Sequence, residues 1–360
     1  MNVILISSNI TNSGGTERIG IGLANELVRD PDTHVTIISL FGSGKPFFEV
    51  HPNITIHTLF HKHVSLFLLL PTVIWKIRKI LMTAEEKSVI INIGALLSVF
   101  SIVANFGLRH FNLIWEHFNV SLAFTSKKEK FARYMASRYA DAVVTLTLKD
   151  RAMYLEHFSC RAQIVCIPNF LTFSPQIEAV DQRQVALAVG RLTEQKGFDR
   201  LLRVWSQLDD RFKDWQLHII GDGEDRQKLE QLIVHEQLHH VHLIPTTKNV
   251  DHYYREASIY VMTSRWEGLP MVLIEAQSFG LPIISYDCLT GPRDVVSNGT
   301  NGFLVEDGNE VGFLAALEKC MDDHDLRASL SSQALKDSKR FDKVQVVQMW
   351  RDLFSTLMEQ

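Results

Sequence analysis

Residues 163–197 read QIVCIPNFLTFSPQIEAVDQRQVALAVGRLTEQKG, and their reading decides how the chain is divided. The β-rich run 163–167 ends at Pro168-Asn169, and an irregular segment with Pro175 follows over about 170–182. A fresh apolar run, 184–189, then leads into a loop from Gly190 to Gly197. Short apolar runs bounded by turn residues are how buried strands look in sequence. Upstream, strands are predicted at 3–7 (VILIS), 34–40 (HVTIISL), 53–58, 88–93 (SVIINI), 112–116 (NLIWE) and 141–147 (DAVVTLT). Helix-length stretches such as 16–29 and 95–108 lie between them. Downstream, strands are predicted at 215–220 (WQLHII), 240–244, 258–262 (SIYVM) and 282–285 (PIIS), with helices near 197–208 and 224–236. Such alternation predicts βαβ units and a mostly parallel sheet. Because it restarts, the expectation is two doubly wound α/β domains, 1–169 and 170–340, followed by a last helix within 341–360 that could join either. Ligands of open α/β sheets bind beyond the carboxyl ends of the strands. Two such domains facing each other would form a cleft, so the informative residues are expected just after strands.

A length of 360 residues suits two domains, and 46% hydrophobic against 22% charged residues supplies two cores. Disordered and collagen-like classes are excluded. A net charge of −4 argues against a strongly basic nucleic-acid binder. None of the cysteines (160, 166, 288, 320) forms a C-x-x-C pair, so a reducing compartment is expected. The opening MNVILISSNI lacks a signal-peptide pattern, which makes the expected location cytoplasmic. The longest apolar run, Val64 to Trp75, is 12 residues, too short to span a bilayer, and Pro71 interrupts it. Charge is uneven: residues 1–172 carry 17 Lys+Arg and 12 Asp+Glu, net +5, and the remainder carries net −9.

Five post-strand stretches carry candidate chemistry. Ser13-Gly14-Gly15-Thr16-Glu17-Arg18 precedes a helix, where Gly15 would let the backbone approach an anion at the helix start; a plain strand–helix turn explains it equally well. Gly190 opens a loop bearing Arg191 and Lys196, two cations able to flank a diphosphate or simply to be solvated. Gly221-Asp222-Gly223-Glu224 makes a tight turn, either under a nucleotide or as a helix cap. The strongest stretch is SRWEGLPMVLIEA, 264–276: Gly268 and Leu269 shape a loop, and Pro270 suits the first helical position. The amides of Met271, Val272 and Leu273 would then be free helix-start donors. Glu275 falls in an otherwise apolar helix, where a carboxylate needs a donor: ribose hydroxyls or an internal ion pair. Glu267 lies on the loop, nearer the reacting end. His117, after strand 112–116, could bond a substrate group, shuttle a proton or serve a local hydrogen bond. His235-Glu236-Gln237-Leu238-His239 matches H-E-x-x-H, but the predicted helix ends near 236, so the match is read as coincidence.

In order along the chain, GGTER, the E-H of 116–117, IPN at 167–169, GRLTEQKG at 190–197, GDGE at 221–224 and E-G-L-P-x-x-x-x-E at 267–275 resemble the large retaining glycosyltransferase family of the GT-B fold, with its E-x7-E signature. The resemblance implies two Rossmann-like domains, a donor site on the C-terminal one, an acceptor site on the N-terminal one, a last helix returning to the first domain, and no metal or other cofactor. By matching position it implies that Glu275 binds the ribose, that Glu267 contacts donor sugar hydroxyls, and that Arg191 and Lys196 neutralise the diphosphate. It gives the Met271–Leu273 amides a supporting part, Gly15 an approach to the diphosphate, and His117 a contact near the reacting carbon. Where the family usually has a glycine near the base, this chain has Pro245-Thr246-Thr247-Lys248. The implied partners are a nucleotide-sugar donor, UDP by family frequency, and a glycan or lipid-linked glycan acceptor in bacterial surface polysaccharide synthesis.

Two basic, apolar segments point to a peripheral contact with an anionic membrane. Residues 64–81 pair Leu66, Phe67, Leu68 and Leu69 with Lys76, Arg78 and Lys79. Residues 127–138 set Lys127, Lys128, Lys130, Arg133 and Arg138 around Phe131, Tyr134 and Met135. A core helix and a solvated helix would read the same way. The competing functions are a GT-B-fold nucleotide-sugar epimerase and a non-catalytic two-domain sugar-binding protein.

Overall fold

A computed structural model describes residues 1–62, 69–84, 87–121, 126–172, 183–208 and 210–359. The chain divides into two compact units, Met1–Thr172 with Lys343–Gln360, and Phe173–Asp342.

The first unit holds strands β1 (Asn2–Asn9), β2 (His34–Phe41), β3 (Thr55–Phe60), β4 (Ser88–Ile93), β5 (Phe111–Trp115), β6 (Ala142–Thr145) and β7 (Gln163–Cys166). Its helices are α1 (Gly15–Leu27), α2 (Leu70–Leu81), α3 (Ala95–Ala104), α4 (Lys127–Tyr139) and α5 (Leu148–His157). The second unit holds β8 (Val185–Val189), β9 (Gln216–Ile220), β10 (Val241–Ile244), β11 (Ile259–Met262), β12 (Ile283–Asp287) and β13 (Gly302–Glu306). Its helices are α6 (Phe198–Trp205), α7 (Arg226–His235), α8 (Val250–Glu256), α9 (Met271–Ser278), α10 (Pro292–Val295), α11 (Glu310–Asp322) and α12 (His324–Ser338). The last helix, α13 (Lys343–Met358), belongs to the first unit. There Trp350 packs edge-on against Trp115 at 4.8 Å, and Lys343 bonds Glu26 at 3.0 Å.

Both sheets are parallel. Their orders are β3-β2-β1-β4-β5-β6-β7 and β10-β9-β8-β11-β12-β13, two Rossmann-like, doubly wound patterns. In each sheet the order reverses once, between β1 and β4 in the first and between β8 and β11 in the second. Val3–Ile6 of β1 and Val185–Ala188 of β8 are buried throughout, as helices on both faces of a sheet require.

Three details differ from the sequence reading. The edge strand β3 runs later than 53–58, because its pairing with β2 begins at Thr36 and Thr55. Strand β13, GFLVE, is additional to the predicted strands and closes the sheet edge against β12. Pro71 does not interrupt the apolar run but sits in the first turn of α2, where a missing N–H costs nothing. Val64–Leu68 of that run and residues 173–182 of the irregular segment lie outside the described residues.

No helix among the described residues is long and apolar enough to cross a membrane. The basic side chains of the two amphipathic segments divide. Lys76 donates to the Leu59 carbonyl, and Arg78 donates to those of Ala104 and Phe106, so both are tied to backbone. Arg133 is no surface cation: it is completely buried between Glu116 and Glu129. Lys127, Lys128 and Lys130 are exposed.

Candidate functional site

The second sheet reverses between β8 and β11, and the loops that leave these two strands hold most of the singled-out residues. The loop after β8 runs from Gly190 to Gly197, and the loop after β11 ends at Pro270, where α9 begins. A set of cross-links joins them. Arg265 donates to both carboxylate oxygens of Asp199 at 2.9 and 2.8 Å and to the Glu194 carbonyl at 2.7 Å. Its backbone N–H donates to the Gln195 carbonyl. The guanidinium holds the Asp199 carboxyl below the usual carboxylate range, against the opposing effect of burial. Neither Arg265 nor Asp199 stood out in the sequence, because they are 66 positions apart and match no local pattern.

Lys196 and Glu267, each singled out separately, form one ion pair, Nζ to Oε1 at 2.7 Å. Glu267 is nearly fully buried, and its backbone carbonyl accepts from the Thr290 hydroxyl. Arg191 is exposed and carries no ion pair among the described residues. It lines a cavity of about 640 Å³ together with Lys196, Glu224 and Trp266. The loop's two cations therefore differ. One is fixed by a buried carboxylate, and the other presents five unspent N–H donors.

Two glycines serve the loops' packing. A Cβ on Gly221 would collide with the Gly190 carbonyl oxygen, and one on Gly197, at φ +65°, would collide with that of Thr263. Asp222 is not a helix cap. It accepts from the Thr246 N–H at 2.8 Å and pairs with Arg226, fastening the turn to the loop after β10. These bonds hold its carboxyl below the usual range, the Thr246 N–H first among them.

Pro270 lies one residue outside its expected place. It is the N-cap of α9, with φ −74° and ψ 100°, and the helix starts at Met271. The Leu273 N–H is not free, because it donates to the Pro270 carbonyl at 3.0 Å. The amides of Met271 and Val272 have no hydrogen-bond partner among the described residues. Gly268 and Leu269 lead into this end, and a Cβ on Gly291 would strike the Gly268 carbonyl and the Pro270 ring. Gly291, at φ +96°, follows β12 and repeats the strand–glycine–helix signature that marked the other loops. Glu275 is half-buried, and one of its carboxylate oxygens accepts from the Tyr254 hydroxyl at 3.1 Å. Burial and the nearby Glu275 raise the Tyr254 phenol well above its ordinary range, which keeps it a donor. This neutral partner on α8 was not legible in the sequence.

The remaining two candidates belong to the first unit. Gly15 is exposed and is the first residue of α1, with open space where a Cβ would stand. His117 stands two residues beyond the end of β5, and its ring lies 4.5 Å from that of Trp115. Burial pushes its pKa down to about 3, so the imidazole is neutral at physiological pH. Its Nε2 is covered and has no hydrogen-bond partner among the described residues. The preceding residue, Glu116, is locked by Arg133 at 2.9 Å and by the Tyr154 hydroxyl at 2.9 Å. In the H-E-x-x-H match, α7 ends at His235, and Gln237 takes φ +54°, so the two imidazoles share no helical face.

Residues 170–337 match the family described as glycosyl transferases group 1. An uncharacterized glycosyltransferase of Haemophilus influenzae is 32% identical over 347 residues, 96% of this chain and 97% of its own. A Campylobacter jejuni protein is 28% identical over 96% of both chains; it is named "GalNAc-alpha-(1->4)-GalNAc-alpha-(1->3)-diNAcBac-PP-undecaprenol alpha-1,4-N-acetyl-D-galactosaminyltransferase". Among solved structures, Anabaena Alr3699/HepE in complex with UDP and glucose shares the fold at a TM-score of 0.80 and 18% identity, covering 99% of this chain and 100% of that one.

Proposed function

The chain belongs to the group 1 glycosyl transferases, and from that premise we propose that it moves a sugar from a UDP-sugar to an acceptor hydroxyl with retention of anomeric configuration. The observation that carries the reading is the arrangement at the switch point of the second sheet: an Arg191 without an ion pair and Met271 and Val272 amides without a hydrogen-bond partner among the described residues, beside a Lys196 oriented by Glu267. A cationic loop beside a helix start suits a diphosphate. Glu275, held on one side by Tyr254, takes the ribose hydroxyls, and Glu267 takes the sugar's.

As the bond between the anomeric carbon and the diphosphate oxygen breaks, negative charge grows on the departing group. Arg191, Lys196 and the α9 amides stabilise that charge more than they stabilise the bound donor, which is what lowers a barrier. The acceptor oxygen bonds to the same carbon, and its proton passes to a phosphate oxygen of the leaving diphosphate. Gly15, open at the start of α1, leaves room for a phosphate there. His117, being neutral, serves as a hydrogen-bonding group for sugar or acceptor hydroxyls and not as an acid. In this reading the cationic loop and helix start do the work of a divalent ion, so no metal is required.

We take the acceptor to be a lipid-linked glycan of bacterial surface polysaccharide synthesis, met at the cytoplasmic face of the membrane. Support comes from the Campylobacter relative, whose name carries an undecaprenol diphosphate, and from the exposed Lys127, Lys128 and Lys130. The test is a calorimetric panel of sugar nucleotides, followed by turnover with chelator present. One UDP-sugar is expected to bind best, with nucleoside diphosphate released without added metal. A sugar altered with no acceptor present would indicate an epimerase, and binding without any released nucleotide would indicate a non-catalytic binding protein.

A further inference from the structure

The first sheet has a switch point of its own, and it does not resemble the one in the second unit. Where β1 and β4 part, a cavity of about 480 Å³ opens between α3 and α4. That volume falls in the range of about 300–1,000 Å³ usual for small-molecule pockets. Its walls are apolar. Phe100 is buried beneath it, and Leu96, Phe118 and Phe131 stand 41%, 56% and 54% exposed around its mouth. Three large apolar side chains exposed about one opening form a patch that normally needs an occupant. The charge at the rim has one sign. Lys127 and Lys128, in the first turn of α4, line the cavity, and the one carboxylate lining it among the described residues, Glu129, is neutralised by Arg133 at 2.6 Å. Gly94, at φ +103° between β4 and α3, leaves the opening clear.

We propose that this cavity is the lipid end of the acceptor site: it takes the first hydrocarbon units of a lipid diphosphate, with the diphosphate held by Lys127 and Lys128. An apolar wall with two cations at its mouth complements an anionic amphiphile and neither a free sugar nor a neutral lipid. The inference rests on the reading of the chain as a transferase with a lipid-linked acceptor, and it assigns to that acceptor a pocket distinct from the donor loops.

The test uses the full chain and four probes followed by calorimetry: farnesyl diphosphate, farnesol, inorganic diphosphate and UDP. Farnesyl diphosphate is expected to bind at least about tenfold more tightly than either farnesol or inorganic diphosphate, since each of those lacks one half of the recognition. Phe131→Asp and the pair Lys127→Glu with Lys128→Glu alter exposed side chains, so both variants should fold. Each is expected to weaken farnesyl diphosphate by about tenfold or more while UDP binding is unchanged. Equal binding of farnesol and its diphosphate would overturn the role of the lysines. Loss of vesicle binding in the lysine variant, with farnesyl diphosphate unaffected, would mean that α4 meets a phospholipid surface and would overturn the pocket. No farnesyl diphosphate binding by a chain that still binds UDP sinks this inference alone, and failure to bind UDP sinks the donor reading instead.

Discussion

Arg191 and Lys196 share a loop of eight residues, yet their surroundings give them different work. The Lys196 ammonium is oriented by Glu267, and the Arg191 guanidinium is exposed with no ion pair among the described residues. Glu275 is half-buried and accepts from a phenol, whereas Glu116 is buried and bound by both Arg133 and Tyr154. Replacing Arg133 with Leu strands the Glu116 carboxylate in the core. Urea denaturation should record a loss of about 3–5 kcal/mol, and a loss under 1 would mean that the pair is solvated. The sequence singled out Arg191, Lys196, Glu267, Glu275 and His117 because each follows a strand or breaks an apolar pattern. It was silent on their partners. Lys196 and Glu267 lie 71 positions apart, and Tyr254 and Glu275 lie 21 apart on different helices. Such pairs form only once the sheet order is set, and no spacing rule announces them.

At the scale of elements, strand runs and loop glycines were legible because β-branched periodicity and positive φ leave local signatures. Helix ends were less so: Pro270 is a cap and not the first helical residue, and its carbonyl accepts from Leu273, which leaves two and not three helix-start amides without a partner among the described residues. Strand β13 carries only the three-residue apolar run Phe303-Leu304-Val305 and takes its place from pairing with β12. The loops depend on close backbone approach, and this gives an element-level prediction. Gly221→Ala drives a methyl into the Gly190 carbonyl and must displace the loop bearing Arg191. A stability loss of about 1–3 kcal/mol is expected, with weakened nucleotide binding, checked by thermal melts and by titration. Unchanged nucleotide affinity would show that the loop's position is irrelevant to the ligand.

For the whole molecule, the excess of positive charge in residues 1–172 and of negative charge beyond them makes the first unit basic and the second acidic. Acid stability offers a further check. His117 stays neutral down to about pH 3 in the fold, whereas the unfolded chain takes up a proton near 6.5. Between those values the unfolded state binds the extra proton, so stability falls as pH drops, by about 1.4 kcal/mol per unit from this group. His117→Asn removes that contribution, and its melting temperature should fall less steeply on acidification than the parent's; parallel curves would mean that His117 titrates normally. The central claim, that the loops at the second switch point grip a diphosphate, is tested most directly by calorimetric titration of UDP into the parent chain and Arg191→Ala. Losing a guanidinium–phosphate interaction of about 1.5–3 kcal/mol should weaken UDP roughly 10- to 150-fold while the melting temperature holds. Equal affinities in the two proteins would contradict the account.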